Sequence, residues 1–295
     1  MKIAVIRFSA LGDLASLTPI LKFLKYKPTI ITSPLGKAYF DDEYEDFIIL
    51  KNKSILSVLK VILDIRKRKF DVIIDFQCND RSRLISKFLN GKIYNNSNVD
   101  VYTNSTFQIF KLILKDSKLL NEIKLDFIKK EKTYIVLNCG SSKKWESKRL
   151  PMDKWIEITD YLYEKYNLPF ILIGDKSEFS YIEEISNNIN SKSKNLAGKT
   201  NLKELKDIIK KAFLTVSTDS AAMHISAVSK TPTIGLFGAT NWMRSSPFGP
   251  WSTVVFDKTY FKDSNPLTSN MLDIKEEVYK NISIKEGLSK IEEYL

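Results

Sequence analysis

The chain has 295 residues, of which 43% are hydrophobic and 27% charged, a composition that supports one large or two medium folded domains. Its two cysteines, Cys78 and Cys139, lie far apart, which argues against a zinc site or a disulfide framework. No apolar run approaches the roughly 20 residues of a membrane-spanning helix, and no signal peptide is recognisable, so we expect a cytoplasmic protein. The net charge of +11 favours anionic partners, although a lysine-rich composition is an equally good explanation.

The first part of the chain alternates short apolar segments with helical ones. Strands are predicted at Lys2–Phe8, Thr29–Thr32, Phe47–Leu50 and Val72–Phe76. A helix is expected from Asp13 to Leu24, with Pro19 kinking it or marking its first turn, and another over Ile55–Lys67. Strand followed by helix, repeated, predicts a parallel sheet with crossover helices.

The same alternation resumes after the charged stretch Lys129–Lys132, which is suited to a linker. Strands are predicted at Tyr134–Asn138, Phe170–Gly174, Leu214–Ser217 and Thr233–Phe237. Helices are predicted at Trp155–Tyr166, Ile182–Ile189, Leu202–Lys211, Ala221–Val228 and Ile282–Leu295, with a loop over Asp257–Leu272. We therefore predict two α/β domains, residues 1–130 and 131–295.

The clearest candidate site is Thr215–Pro232, where an apolar strand leads into a helix that begins with small residues. Ser or Asp at a helix start caps backbone N–H groups, and those groups together with the helix dipole also bind phosphate. Ala221 and Ala222 would let an anion approach the backbone closely. The triplet Asp-Ser-Ala alone favours an ordinary capped helix, but His224, the only histidine, shifts the balance toward an anion site.

Two more loops follow predicted strands. Gly140-Ser141-Ser142 and the later Lys148 supply hydroxyls, N–H groups and an ammonium that could hold a diphosphate, with a solvated basic loop as the alternative. Asp13, after the first strand, is either a helix N-cap or a general base, and its spacing alone favours the N-cap. Asp175 could reach a ribose hydroxyl.

Four motifs in order give a more specific indication. They are Arg7–Asp13 with Leu17–Pro19, Phe70–Gln77 with Arg81-Ser82, Gly140–Ser142 with Lys148–Pro151, and Asp219–His224 with Leu236–Thr240. Together they resemble the motifs of the family 9 glycosyltransferases, the bacterial lipopolysaccharide heptosyltransferases. Alanine stands at 221 and 239, where that family usually has glycine.

The resemblance implies a GT-B fold, in which two Rossmann-like, doubly wound α/β lobes face a cleft. It also implies an inverting transfer from an ADP-heptose donor to a lipopolysaccharide core acceptor, without metal or another cofactor. Asp13 would then be the general base. The donor site would comprise Ser141, Ser142, Lys148, Asp219, Ser220, Ala221 and His224, with Asp175 as a further candidate.

The acceptor side is less well marked. We expect Ser9 there, with Arg81 and Arg83 pairing with phosphates or carboxylates. Arg66–Lys69 and the helix over Phe107–Leu114 could form a basic, apolar rim for a phosphorylated glycolipid at the inner face of an anionic inner membrane. An ordinary core helix with a solvated lysine face is the favoured alternative.

Other functions stay open. The same fold could use another nucleotide sugar, or a capsule or protein acceptor. A basic nucleic-acid-binding protein is disfavoured, because the lysines are dispersed and no DNA or RNA motif appears, so nucleic acid is not expected as a partner.

Overall fold

The computed structural model describes residues 1–96, 103–262 and 266–295. The chain divides into two compact units, residues 1–124 and 125–295. Both are α/β, and each is built on one parallel sheet. Among the described residues, no helix is both long and apolar enough to cross a lipid bilayer.

The first unit contains five strands and five helices among its described residues. In chain order they are β1 (Ile3–Ile6), α1 (Leu11–Phe23), β2 (Thr29–Thr32), α2 (Pro34–Phe40), β3 (Phe47–Ile49), α3 (Ile55–Arg66), β4 (Val72–Asp75), α4 (Asp80–Ser86), β5 (Lys92–Tyr94) and α5 (Ser105–Ile113). The strand order is β3-β2-β1-β4-β5, with every pairing parallel. Strands β1 and β4 are buried throughout, which explains why both read as continuous apolar runs.

The second unit has a six-stranded sheet among its described residues. Its main elements are β6 (Ile135–Asn138), α6 (Met152–Tyr166), β7 (Phe170–Leu172), α7 (Phe179–Asn188), β8 (Ser193–Asn195), α8 (Leu202–Lys211), β9 (Leu214–Thr218), α9 (Ala221–Val228), β10 (Thr233–Phe237), β11 (Ser252–Phe256) and α10 (Ile284–Lys290). Short 3₁₀ helices occupy Lys143–Lys148, Lys176–Glu178, Glu276–Tyr279 and Glu292–Tyr294. The strand order is β11-β10-β9-β6-β7-β8, again all parallel.

These strand orders define one topological switch point in each sheet. In each sheet the order reverses beside the first strand of the unit, between β1 and β4 and between β6 and β9. Ligands of open, doubly wound sheets bind outside the carboxyl ends of the strands at such a reversal. The predicted α/β architecture of two Rossmann-like units is therefore observed, and each unit has one topological switch point.

The division between the units falls a few residues before the predicted boundary at 130/131. Phe127 stacks on Trp251 with ring centroids 5.4 Å apart and meets Tyr294 edge to face at 5.0 Å. Lys129 Nζ donates to the backbone oxygen of Leu295 at 2.9 Å. These contacts attach residues 125–130 to the second unit, so the charged stretch is not a free linker.

Several predicted element bounds are wrong in detail. The first helix begins at Leu11 with Ala10 in the N-cap position, and Pro19 lies buried in its interior rather than in its first turn. The last helix ends at Lys290 and is followed by a short 3₁₀ turn. The prediction also missed short elements such as β5 and β8, because edge strands of three residues carry little hydrophobic pattern.

Candidate functional site

The switch point of the first unit is tied together by Gln77, which follows β4. Its Oε1 accepts the backbone N–H of Phe8 at 2.7 Å and that of Ser9 at 3.2 Å. One side chain from the loop after β4 thus fixes the loop after β1. That second loop leads directly into α1 and Asp13.

Asp13 is held in place while remaining accessible. Its Oδ2 lies 2.5 Å from Nη2 of Arg7 and accepts the backbone N–H of Ala10 at 2.9 Å. Arg7 is buried and also donates to the backbone oxygen of Phe76. The Asp13 side chain is nevertheless 43% exposed. Because Asp13 is the third residue of α1, the expectation that it is the N-cap is wrong, and its carboxylate is oriented and available to a ligand.

A second carboxylate, Asp75, lies beneath this loop. It is fully buried, and its Oδ1 accepts the N–H groups of Gln77 at 2.9 Å and Cys78 at 3.0 Å. Burial raises the pKa of the Asp75 carboxyl above its ordinary value, although these hydrogen bonds oppose the shift. Asp75 therefore shapes the turn that presents Gln77 rather than facing a ligand.

The residues predicted to contact an acceptor lie near the same edge of the sheet. Ser9 is exposed beside Gln77. Arg81 and Arg83 both belong to α4. Residues two apart point to different sides of a helix, so the two side chains do not face the same ligand group. In α5, Phe110 stacks on Phe23 at 5.9 Å and Ile113 is buried, as expected of a core helix rather than an open rim.

The switch point of the second unit is joined by a network of short polar side chains. Asn138, which ends β6, donates through Nδ2 to the Ser220 hydroxyl at 3.0 Å. Thr218, which ends β9, donates to the backbone oxygen of Gly140 at 3.0 Å. The loop that begins at Gly140 and the start of α9 are therefore adjacent. Their positions in the sequence alone did not show this.

Lys148 and Asp219 connect the same two loops by an ion pair. Lys148 Nζ lies 3.0 Å from Asp219 Oδ2 and donates to the Asp219 backbone oxygen at 3.1 Å. The ammonium also lies over the Trp145 ring, 4.8 Å from its centroid. The pair is largely buried, so its charges are weakly screened and its geometry is well defined.

Ser141 and Ser142 have different surroundings. The Ser141 hydroxyl is buried and donates to the backbone oxygen of Trp145 at 2.6 Å, while its own carbonyl accepts from Arg149 Nη2 at 2.7 Å. Because its only O–H proton is engaged, Ser141 shapes the loop in this conformation. Ser142 is exposed at the start of the 3₁₀ helix and is the better placed of the two to meet a ligand.

The helix start at α9 has the predicted position. Ser220 is the N-cap residue with an extended backbone, and its side chain forms no capping hydrogen bond. The Ser220 hydroxyl instead contacts Ser217 Oγ at 3.1 Å. Ala221 is the first helical residue, and its N–H lies where an anion could accept it. His224 lies one turn further on and is almost entirely buried.

Asp175 lies on the far side of β6, after β7. Its Oδ1 accepts the N–H of Ser177 at 2.7 Å and the Ser177 hydroxyl at 2.6 Å, so it caps its own 3₁₀ turn. Glu178 was not predicted from the sequence, yet it is buried beside Gly140 and accepts the Asp175 N–H at 2.8 Å. Burial raises the pKa of Glu178, and a Cβ at Gly140 would lie 2.7 Å from its carboxyl group.

Tyr279 is another residue that the sequence did not single out. Its hydroxyl donates to the Ser147 backbone oxygen at 2.8 Å and accepts the Ala239 N–H at 3.3 Å. A Cβ at Gly238 would lie 2.5 Å from the tyrosine ring, which explains the need for glycine there. Among the described residues no group of three or more His, Cys, Asp or Glu side chains could hold a metal ion.

Similarity to solved structures identifies the class of fold. The chain resembles the glycosyl transferase family 9 protein of Veillonella parvula with a TM-score of 0.73 and 14% identity, covering 99% of this chain and 97% of that one. It resembles the ADP-heptose LPS heptosyltransferase II of Escherichia coli with a TM-score of 0.70 and 16% identity, covering 100% and 98%. At such identities the likeness shows the fold, which is GT-B.

Sequence comparison then gives the family. The model of glycosyltransferase family 9 (heptosyltransferase) matches residues 96–270, well over half of the chain. The chain therefore belongs to this family and is a glycosyltransferase. It is 25% identical to lipopolysaccharide heptosyltransferase 1 of Campylobacter coli, over 83% of this chain and 86% of that protein. It is 27% identical to lipooligosaccharide heptosyltransferase 2 of Campylobacter jejuni, over 84% of each.

Proposed function

We propose that this enzyme transfers a heptose from an ADP-linked donor to a phosphorylated lipopolysaccharide core acceptor, with inversion at the anomeric carbon. The observation that carries the proposal is the Lys148–Asp219 pair at the switch point of the second unit, beside the start of α9. The heptosyltransferase names of the relatives support the sugar and the acceptor class. The two units would divide the work, with the acceptor on the first and the donor on the second.

In the proposed reaction, Asp13 accepts a proton from the acceptor hydroxyl. The oxygen of that hydroxyl forms a bond to the anomeric carbon, while the bond from this carbon to the diphosphate oxygen breaks. The electron pair of the broken bond leaves with the nucleoside diphosphate. Attack from the face opposite the leaving group gives inversion. Arg7 and the Ala10 N–H hold the Asp13 carboxylate in one orientation throughout.

The donor diphosphate gains negative charge as the bond breaks, and we propose that protein groups stabilise it in place of a metal ion. Lys148 supplies a cation, and the N–H groups at the start of α9 supply fixed dipoles. Asp219 would act mainly by positioning the lysine, because its carboxylate would repel a phosphate. Ser142 and the backbone of the Gly140 loop complete the cradle in this proposal.

The test is a transfer assay with matched donors. We expect ADP release from ADP-heptose in the presence of a heptose-deficient lipopolysaccharide core, unchanged by a chelator and much slower with UDP- or GDP-sugars. The anomeric configuration of the product, read by NMR, checks inversion. Transfer from a UDP-sugar at the higher rate would instead support another nucleotide sugar, and loss of activity with chelator would contradict the metal-independent mechanism.

A further inference from the structure

Helix α3 of the first unit has two apolar faces rather than one. One face is buried against the sheet and comprises Val58, Val61, Ile62 and Ile65. The other is exposed to solvent and comprises Ile55, Leu56, Leu59 and Leu63, whose exposed fractions are 69%, 75%, 48% and 59%. We call these four residues the outer face of α3. A surface helix normally presents polar residues to solvent, and a helix that is apolar on all sides is normally covered.

The outer face is one continuous stripe. Ile55, Leu59 and Leu63 follow at intervals of four, and Leu56 lies beside them, so the four side chains span about 100° of the helix circumference. Ser57, Lys60 and Asp64 occupy the polar strip between the two apolar faces. The Phe88 ring, which follows α4, is partly exposed and lies under the Arg66 guanidinium, 4.9 Å from the ring centroid to Cζ. The last residue of α3 therefore places a cation at the end of the stripe.

Exposed cations stand at both ends of this stripe. Lys51 and Lys53 precede α3, and Lys67 and Lys69 follow it. In the same region Arg68 is already paired with Asp46, at 2.6 Å between Nη1 and Oδ1. The surroundings of the outer face thus have a positive balance, in keeping with the net charge of the chain.

This combination of side chains favours a lipid surface over a protein partner. Lysine is depleted in protein interfaces, whose energetic centres are rich in Trp, Tyr and Arg. The outer face contains only Leu and Ile, with lysines around it. Aliphatic side chains that enter the acyl boundary, with lysines at the level of anionic headgroups, are typical of helices that lie in a membrane interface.

We infer that α3 is a membrane-docking element, whose outer face inserts into an anionic bilayer while Lys51, Lys53, Lys67 and Lys69 contact the headgroups. The choice of a membrane also rests on the proposed function, because a glycolipid acceptor resides in one. Docking would raise the local concentration of the acceptor around the first unit. Membrane binding through α3 would not depend on the residues proposed to bind the donor or to catalyse the transfer.

The experiment measures co-flotation of the full-length protein with vesicles, without donor or acceptor. We expect binding to vesicles of phosphatidylcholine and phosphatidylglycerol, weak binding to pure phosphatidylcholine, and a decrease with added salt. The double variant Leu56→Gln/Leu63→Gln should bind about tenfold or more weakly. Lys67→Gln/Lys69→Gln should weaken binding about tenfold and flatten its salt dependence. The matched control is Ile128→Gln/Ile274→Gln, two equally exposed isoleucines of the second unit, which should bind like wild type.

Three results would overturn the inference. They are absence of wild-type binding to anionic vesicles, unchanged binding by Leu56→Gln/Leu63→Gln, and a wild-type dimer in sedimentation that this variant converts to a monomer, which would make the outer face a self-association surface. The melting temperature of each variant verifies folding. Vesicle binding needs no substrate, so its failure is distinguishable from failure of sugar transfer, which is measured separately with a delipidated acceptor.

Discussion

Lys148 and Asp219 lie 71 positions apart in the chain, yet their side chains form an ion pair with 3.0 Å between Nζ and Oδ2. The pair joins the 3₁₀ helix after β6 to the loop before α9, across the switch point of the second sheet. An ammonium has three N–H donors, and two of them are directed to Asp219. In the proposed donor site, this pair would orient the lysine before the donor binds, which would reduce the reorganisation that binding requires.

The role of this pair leads to a prediction for donor binding. Lys148→Gln should weaken affinity for the nucleotide sugar by about tenfold to a hundredfold, the usual loss for a hydrogen bond to a charged group. Lys144→Gln is the matched control, because Lys144 also lies over the Trp145 ring, at 5.5 Å, but does not form the Asp219 pair. Calorimetric titration with the donor measures both variants. Equal donor affinities of the two variants would show that Lys148 does not bind the donor.

Asp13→Asn tests the proposed base. The amide keeps the size of the side chain but cannot take a proton, so kcat should fall by about a hundredfold to ten-thousandfold. Donor affinity should stay close to that of the wild type, because Asp13 belongs to the first unit. Asp207→Asn, at an exposed position in α8, is the control substitution. Turnover within a few-fold of wild type would exclude Asp13 as the base.

Gln77 should act as a positioning residue for the loop before Asp13. Gln77→Leu removes the acceptor for the N–H groups of Phe8 and Ser9, which should destabilise the chain by about 1–3 kcal/mol and lower kcat. The KM for the donor should change little. Gln77→Glu retains an acceptor oxygen and should restore most of kcat, whereas a failure of this variant to recover activity would contradict the positioning role.

The raised pKa of Glu178 leads us to expect that the stability of the chain depends on pH. Burial raises its pKa, so the folded chain binds this proton more tightly than the unfolded chain. Its contribution to the free energy of unfolding is therefore greatest below the ordinary glutamate pKa and falls as the pH rises through the raised value. Glu178→Gln can still accept the Asp175 N–H but carries no charge.

The stability of this variant relative to wild type should accordingly increase as the pH rises above the ordinary glutamate pKa of 4.5. Denaturant unfolding at several pH values measures the difference. Glu183→Gln, in the adjoining helix α7, is a control that makes the same change at a nearby glutamate. A relative stability that decreases with pH would mean that the Glu178 charge is stabilised in the folded chain.

Much of the fold followed from local patterns in the sequence. Strands β1, β4, β6, β9 and β10 were predicted within a few residues, because strands buried on both faces are rich in apolar and β-branched residues. Asp13, Lys148 and Asp219 were singled out from the sequence as candidate site residues, since each follows a predicted strand. The edge strands β5, β8 and β11 were not predicted; β5 and β8 have only three residues each, and pairing with a neighbour defines them more than their composition does.

Only the tertiary structure decided how these residues work. Whether Asp13 caps its helix depended on where α1 begins and on the Arg7 side chain, neither of which hydrophobic spacing reveals. The same holds for Gln77, Glu178 and Tyr279, whose hydrogen bonds reach loops distant in sequence. The sequence determined which segments form most of the central strands, to within a few residues, since the local hydrophobic pattern encodes that. The ion pair between Lys148 and Asp219 depended on the parallel pairing of β6 with β9, because only the folded sheet places the ends of those strands side by side.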